Sequence, residues 1–386
     1  MGEVILPCRL IYSAVVSSNL VRAQRLLVLA LLLSVEFALL EVGMRVAGGS
    51  EAAPAFQQIF IQDPRVGHRL QPGARTVYST AEFTTRLSIN PQGVRDDRDL
   101  GPKRPGQTRV VVLGDSLVLS VQVPVEQTFM AWLERGLSAA DSSREWQVIN
   151  AGVQGYGPVD NWLFYRNVVD TLEPDLVLIV AFVANDATEA FDKAAWLTAD
   201  QPPDSGARTA ARVWTRRVVR SSMVLQAMRL RWDQMRPDAA GPGAERPLAS
   251  YLATPPVEVT RGLEVTREAF GRIAAMAAKR GAATALVLMP ARFQLDDGDY
   301  GRLRARVEAT GHELVRQAAS ERFSRALAPL GLPMIDLLPA FQAQEAPAGL
   351  FFQRNIHLTP RGHELTGRTL ADFVLSRQVL PSARAR

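Results

Sequence analysis

Five short apolar runs, at residues 109–113, 146–149, 175–182, 284–289 and 333–337, constrain the fold of this chain more than any other feature. Each is too short to span a membrane and too continuously apolar to line a half-exposed sheet. Each therefore reads as a strand buried on both faces. Between them lie segments with helical spacing, such as Phe129, Trp132, Leu133 and Leu137. Residues 160–172, 263–280 and 360–378 read the same way, with Gly281 as a helix stop and Pro290 ending a strand. Strands alternating with helices imply a parallel sheet covered on both faces. The expected fold class is α/β, a three-layer α/β/α sandwich around a five-stranded parallel sheet, flavodoxin-like and doubly wound. Ligand sites in such sheets lie beyond the carboxyl ends of the strands.

Ahead of this pattern, residues 26–46 are mostly Leu, Val and Ala, with Arg22 and Arg25 just before them. A spanning helix needs about 20 apolar residues, and a basic flank stays on the cytoplasmic side. Residues 1–25 then form a cytoplasmic flank, and residues 26–46 a single transmembrane signal anchor at the inner membrane. The rest lies in the periplasm or extracytoplasmic space. Glu36 and Glu41 oppose insertion by about 2.5–3.5 kcal/mol for a charge near the bilayer centre. Glu41 has Arg45 one turn on as a partner. A cleaved signal peptide and a buried core helix compete with the anchor, although no small-x-small cleavage pattern follows the run. Residues 47–105 read as a linker and irregular β extension, with strand-like pieces at 77–78 and 83–89. Residues 106–386 form the main domain, interrupted by an insertion at 187–258. That insertion carries an expected basic helix at 210–235 and reads as a lid, a membrane-facing helix, a surface for an envelope protein partner or a solvated rim helix.

The formal net charge of +5 comes mostly from Arg, and no zinc-finger, homeodomain or RNA-binding signature accompanies it, so nucleic acid is not an expected partner. The single cysteine, Cys8, excludes an intrachain disulfide and a cysteine-based metal site. His357 and His363 lack a carboxylate at metal-binding spacing, so neither metal nor cofactor is expected.

The chemistry-bearing residues follow the strands. The first strand runs into Gly114-Asp115-Ser116-Leu117, which sets a hydroxyl where free backbone amides gather. The second runs into Asn150-Ala151-Gly152-Val153-Gln154-Gly155-Tyr156-Gly157, a turn that offers the Gly155 amide. The third ends in Ala184-Asn185-Asp186, where Asn185 carries an NH2 donor. After the fifth comes Asn355-Ile356-His357-Leu358-Thr359-Pro360, with His357 in a loop before a helix start. Of the other histidines, His68 lies in the extension, His312 in a charged helical stretch and His363 inside the last helix. Taken singly, each motif is also an ordinary turn or cap.

In this order, and over residues 108–378, the blocks resemble the SGNH hydrolases, the GDSL-type esterases and lipases. Residues 60–105, including Ile89-Asn90-Pro91-Gln92-Gly93-Val94-Arg95-Asp96, look like the stretch before Gly-Asp-Ser in membrane-anchored bacterial members. The resemblance implies Ser116 as nucleophile and His357 as its base. It also implies an oxyanion hole from the amides of Ser116 and Gly155 and the side chain of Asn185. Two departures stand out. Val183 occupies a position usually held by Gly, and Arg354 and Asn355 stand where the triad Asp usually lies. Asn355 could orient the imidazole through its amide oxygen without supplying charge. Asp115, Asp186 and Asp336 are the other acids at strand ends. The resemblance implies an ester hydrolase acting on an O-acylated, acetylated carbohydrate of the cell envelope or an exopolysaccharide. The alternatives are an O-acyltransferase to a glycan hydroxyl and a decayed glycan-binding or scaffold module.

Overall fold

The computed structural model describes residues 8–47, 56, 59–80, 82–203, 222, 224–225, 228, 246–376 and 379–380. They fall into two units. The first spans Met1–Ala52 with Ala211–Pro237, and the second Ala53–Ala210 with Asp238–Arg386.

In the first unit, helix α1 spans Cys8–Ala47. Its stretch Gln24–Met44 has a mean hydropathy of 2.3 and none of it is buried, so it is long and apolar enough to cross a membrane. The Glu41 carboxylate, a charge in an apolar segment, accepts from Ser222 Oγ at 2.9 Å and from the Val224 N–H at 3.1 Å. The Arg45 side chain lies outside the described residues, as does nearly all of the basic helix expected at 210–235.

In the second unit, two antiparallel hairpins come first. β1 (Phe60–Asp63) pairs with β2 (Gly67–Leu70), and β3 (Arg75–Ser79) with β4 (Thr84–Ser88). The second hairpin lies where strand-like residues were read. The first had no legible signal, because its strands are four residues each and half polar.

The main sheet then forms from β5 (Gln107–Gly114), β6 (Glu145–Gly152), β7 (Leu176–Phe182), β8 (Ala283–Met289) and β9 (Met334–Asp336). All are parallel, in the order β6-β5-β7-β8-β9. This is the flavodoxin-like winding, whose switch point lies between β5 and β7. Every residue of β5 and β7 is buried, as continuous apolar runs require when helices cover both faces. Each fully buried Val, Leu or Ile contributes about 1.5–3 kcal/mol.

The helices are α2 (Ser116–Leu119), α3 (Phe129–Ala140), α4 (Pro158–Asn167), α5 (Asp186–Asp192), α6 (Ala194–Ala199), α7 (Val257–Lys279), α8 (Asp297–Glu308), α9 (Ala318–Leu327), α10 (Leu338–Gln342) and α11 (Pro360–Ser376). α7 buries Val259, Leu263, Thr266, Phe270, Ile273 and Ala277, a stripe at i, i+3/i+4 spacing. It packs on α4 and α5, while α11 packs on α3. Within the stretch 187–258, α5 and α6 thus belong to the helical layer against α7, and Arg246–Tyr251 forms a 3-10 turn.

Candidate active site

The turn that carries Ser116 follows β5. Asp115 caps α2, its Oδ1 accepting from the Leu117 N–H at 2.8 Å. That places Ser116 at the first helical position, 8% exposed. The short helix ends at Ser120 in the left-handed region, φ 57°. The sequence builds this compactness into β6: a Cβ on Gly152 would stand 2.3 Å from the Leu119 nitrogen, so only glycine allows the approach. Asn150 Nδ2 donates to the Val118 carbonyl at 2.8 Å.

The extension secures the other side of this turn. Arg95, 1% exposed, donates to the carbonyls of Leu119 at 2.9 Å and Val123 at 2.5 Å, and also to that of Ser120. Burial pushes its guanidinium down to about 10. Thr85 Oγ1 donates to the Gln122 carbonyl at 3.0 Å.

After β6, Gly155 adopts φ +75° with open space around it, a conformation that favours glycine. Its N–H has no acceptor among the described residues. The Val153 N–H donates to the Gly114 carbonyl at 3.1 Å, tying the two loops together. His68 Nε2 donates to the Gln154 carbonyl at 2.9 Å.

After β7, Asn185 precedes α5 and its Nδ2 donates to Glu189 Oε1 at 2.7 Å. One of its two amide hydrogens is engaged there, and the other remains available. Burial, followed by the charge of Asp115, pushes Glu189 up to about 7, with Lys193 opposing. Asp160 Oδ2 accepts from Lys193 Nζ and from the Gly157 N–H.

His357 lies in a loop closed by the Phe351–Leu358 bridge. The Asn355 Oδ1 accepts from both His357 Nδ1 and the His357 N–H, the latter at 3.2 Å. A backbone N–H can only donate, so the amide oxygen must face it. Nδ1 then carries the ring proton, and Nε2 is a bare lone pair. That Nε2 is buried without a partner, so it makes no hydrogen bond to Ser116 Oγ here. Catalytic contacts of this kind often tighten only with substrate. Burial holds His357 down at about 4, and no carboxylate counteracts it.

The three acids at strand ends do other work. Asp115 caps its turn and is pushed up to about 6 by burial, against bonds from backbone N–H groups. Asp186 Oδ2 accepts from the Phe182 N–H at 3.0 Å, and burial followed by the nearby Asp115 and Glu189 charges raises it far above the usual carboxylate range. Asp336 accepts from the Leu338 N–H at 2.9 Å. His363 is buried in α11, stacked on Phe129 at 5.9 Å.

The residues singled out in the sequence lie beyond the sheet: Ser116 at the start of α2, Gly155 in the turn after β6, Asn185 just before α5, and Asn355 and His357 in the loop before α11. Sequence reading missed His68, Arg95 and Glu189. Glu189 had a readable signal, since i+4 from Asn185 on a helix brings the two together. His68 and Arg95 act across long sequence separations that no local pattern encodes.

The profile of the GDSL-like lipase/acylhydrolase family matches residues 112–365. No protein of curated function matches significantly. Among solved structures, the chain is similar to an α/β hydrolase enzyme from the metagenome of Lake Arreo, Spain, at 15% identity and a TM-score of 0.39, covering 71% of this chain and 97% of that one. It is similar to the lipase/acylhydrolase from Enterococcus faecalis at 16% identity and 0.39, covering 72% and 100%. It is also similar to an acetyl xylan esterase at 15% identity and 0.37, covering 70% and 98%. With the family profile spanning more than half its length, the chain belongs to the GDSL-like lipase/acylhydrolase family and is an ester-hydrolysing enzyme.

Proposed function

We propose that the chain cleaves an acyl ester through a covalent acyl-serine at Ser116, on an O-acylated, acetylated carbohydrate of the cell envelope or an exopolysaccharide. The observation that carries this reading is the imidazole of His357. Its Nδ1 is fixed to Asn355 Oδ1, and its Nε2 is left buried and unpartnered, poised to accept a proton.

In the first step Nε2 takes the proton from Ser116 Oγ as Oγ bonds to the ester carbonyl carbon. The carbonyl oxygen becomes an oxyanion and accepts from the Ser116 and Gly155 N–H groups and from Asn185 Nδ2. The tetrahedral centre collapses, the sugar oxygen leaves and takes the proton from His357, and the acyl group stays on Ser116. Water, activated by the same nitrogen, then releases the carboxylic acid. Asn355 keeps the tautomer fixed throughout, without supplying charge. The apolar helix fits an anchor that holds this site outside the inner membrane, where acylated glycans are exposed.

The test uses the full chain in detergent, with p-nitrophenyl acetate as substrate and a fluorophosphonate as probe. Ser116→Ala and His357→Ala are each expected to lose at least about 10³-fold in kcat, as members of a catalytic unit do. Ser116→Ala should also lose all labelling. Wild-type activity that survives Ser116→Ala would sink the proposal. Labelling without hydrolysis, converted to turnover by an added glycan, would identify a transferase using the same acyl-serine.

A further inference from the structure

We infer that His68, supplied by the extension and lying outside the family-matched region, is a positioning residue for the oxyanion hole: it fixes the peptide whose N–H belongs to Gly155. The inference rests on the acyl-serine reading above.

The Gln154 carbonyl and the Gly155 N–H belong to one planar, trans unit, so they point in opposite directions and cannot turn independently. Fixing the oxygen fixes the aim of the N–H. The Gln154 oxygen accepts from His68 Nε2 at 2.9 Å. A carbonyl can only accept, so that nitrogen carries the proton in this contact. Without such an anchor the peptide would be soft. Gly155 has φ +75°, open space on its side-chain face and an exposed position, and glycine is the residue with the widest rotation available.

The His68 ring is itself held. It sits on β2, paired with Gln62 of β1. Its ring meets the edge of Tyr156 at 5.2 Å and that of Phe60 at 6.1 Å. The Tyr156 hydroxyl donates back to the His68 carbonyl. Tyr156 directly follows Gly155, so one loop is clasped on both sides of the donor. A hydrogen bond accepted at the oxygen also polarises the amide and makes its N–H a stronger donor. That effect favours the charged tetrahedral state over the neutral ester.

The test compares three variants of the full chain in detergent. His68→Phe keeps the ring packing and loses the donor. His68→Gln loses the ring and keeps an N–H at nearly the position of Nε2. His68→Asn has a donor too short to reach Gln154. H68F and H68N are expected to lose about tenfold or more in kcat, part of the effect of deleting an oxyanion donor outright, with KM within about twofold. The rate of Ser116 phosphonylation should fall in parallel, and H68Q should stay within about threefold of wild type. If H68F fails to fold, the H68Q and H68N pair decides the matter. Wild-type kcat in H68F or H68N would overturn the inference, and so would an H68Q loss equal to theirs. A wild-type chain inert to both substrate and probe would instead remove the acyl-serine reading, and this inference with it.

Discussion

In the proposed mechanism, the residue that sets the base is Asn355. An aspartate there would set a negative charge against the imidazole of His357. The neutral amide instead holds the ring and leaves its pKa to burial, at about 4. The base is then unprotonated over the whole neutral range, and its affinity for the serine proton is low. Asn355→Asp should raise the pKa of His357 by about 1–3 units, because a nearby opposite charge favours the imidazolium. Activity needs the neutral ring, so the acidic limb of kcat/KM moves up from near pH 4. Above that limb kcat should rise about tenfold, less than the effect of a wrong tautomer, since the tautomer is already set. A pH–rate profile of the two proteins checks both points, and an unmoved limb would contradict this role for Asn355. At this scale the sequence was informative wherever a side chain follows its own strand. It was silent on contacts such as His68 to Gln154, because 86 residues separate them.

At the scale of elements, the extension does more than bridge. Its Arg95 and Thr85 hold the nucleophile turn, and His68 holds the Gly155 loop. Glu82 Oε1 accepts from the Arg354 N–H at 3.0 Å, and Phe83 lies 5.5 Å from Phe352, both beside the His357 loop. Arg95→Met keeps the apolar volume but leaves the Val123 carbonyl without its donor, the Ser120 carbonyl with only the Val123 N–H at 3.3 Å and the Leu119 carbonyl with only Asn150 Nδ2 at 3.5 Å. At about 1–3 kcal/mol for an orphaned buried group, the expected loss of stability is about 1–3 kcal/mol. Thermal unfolding and kcat, measured together, should both fall. An unchanged Tm would show that water replaces the guanidinium. The sheet and its covering helices were legible because their apolar periodicities are long and consistent. The β1–β2 hairpin was not, because four-residue strands with Gln, Asp, His and Arg carry no alternation strong enough to read.

For the molecule as a whole, the exposed apolar stretch Gln24–Met44 makes membrane attachment the expected state of the full chain. Membranes carrying the protein should retain it through alkaline carbonate and release it to detergent, and removal of residues 1–47 should abolish that retention. Release by carbonate alone would argue against a spanning helix. The support given by the extension bears differently on modularity. The family profile begins at residue 112, inside β5, which starts at Gln107, and leaves out His68, Thr85 and Arg95. A recombination that moved only the recognisable segment would carry the nucleophile, the base and the oxyanion donors while leaving their supports behind. A transplant meant to keep the proposed site in working order therefore has to start upstream of the profile-matched segment and include the extension.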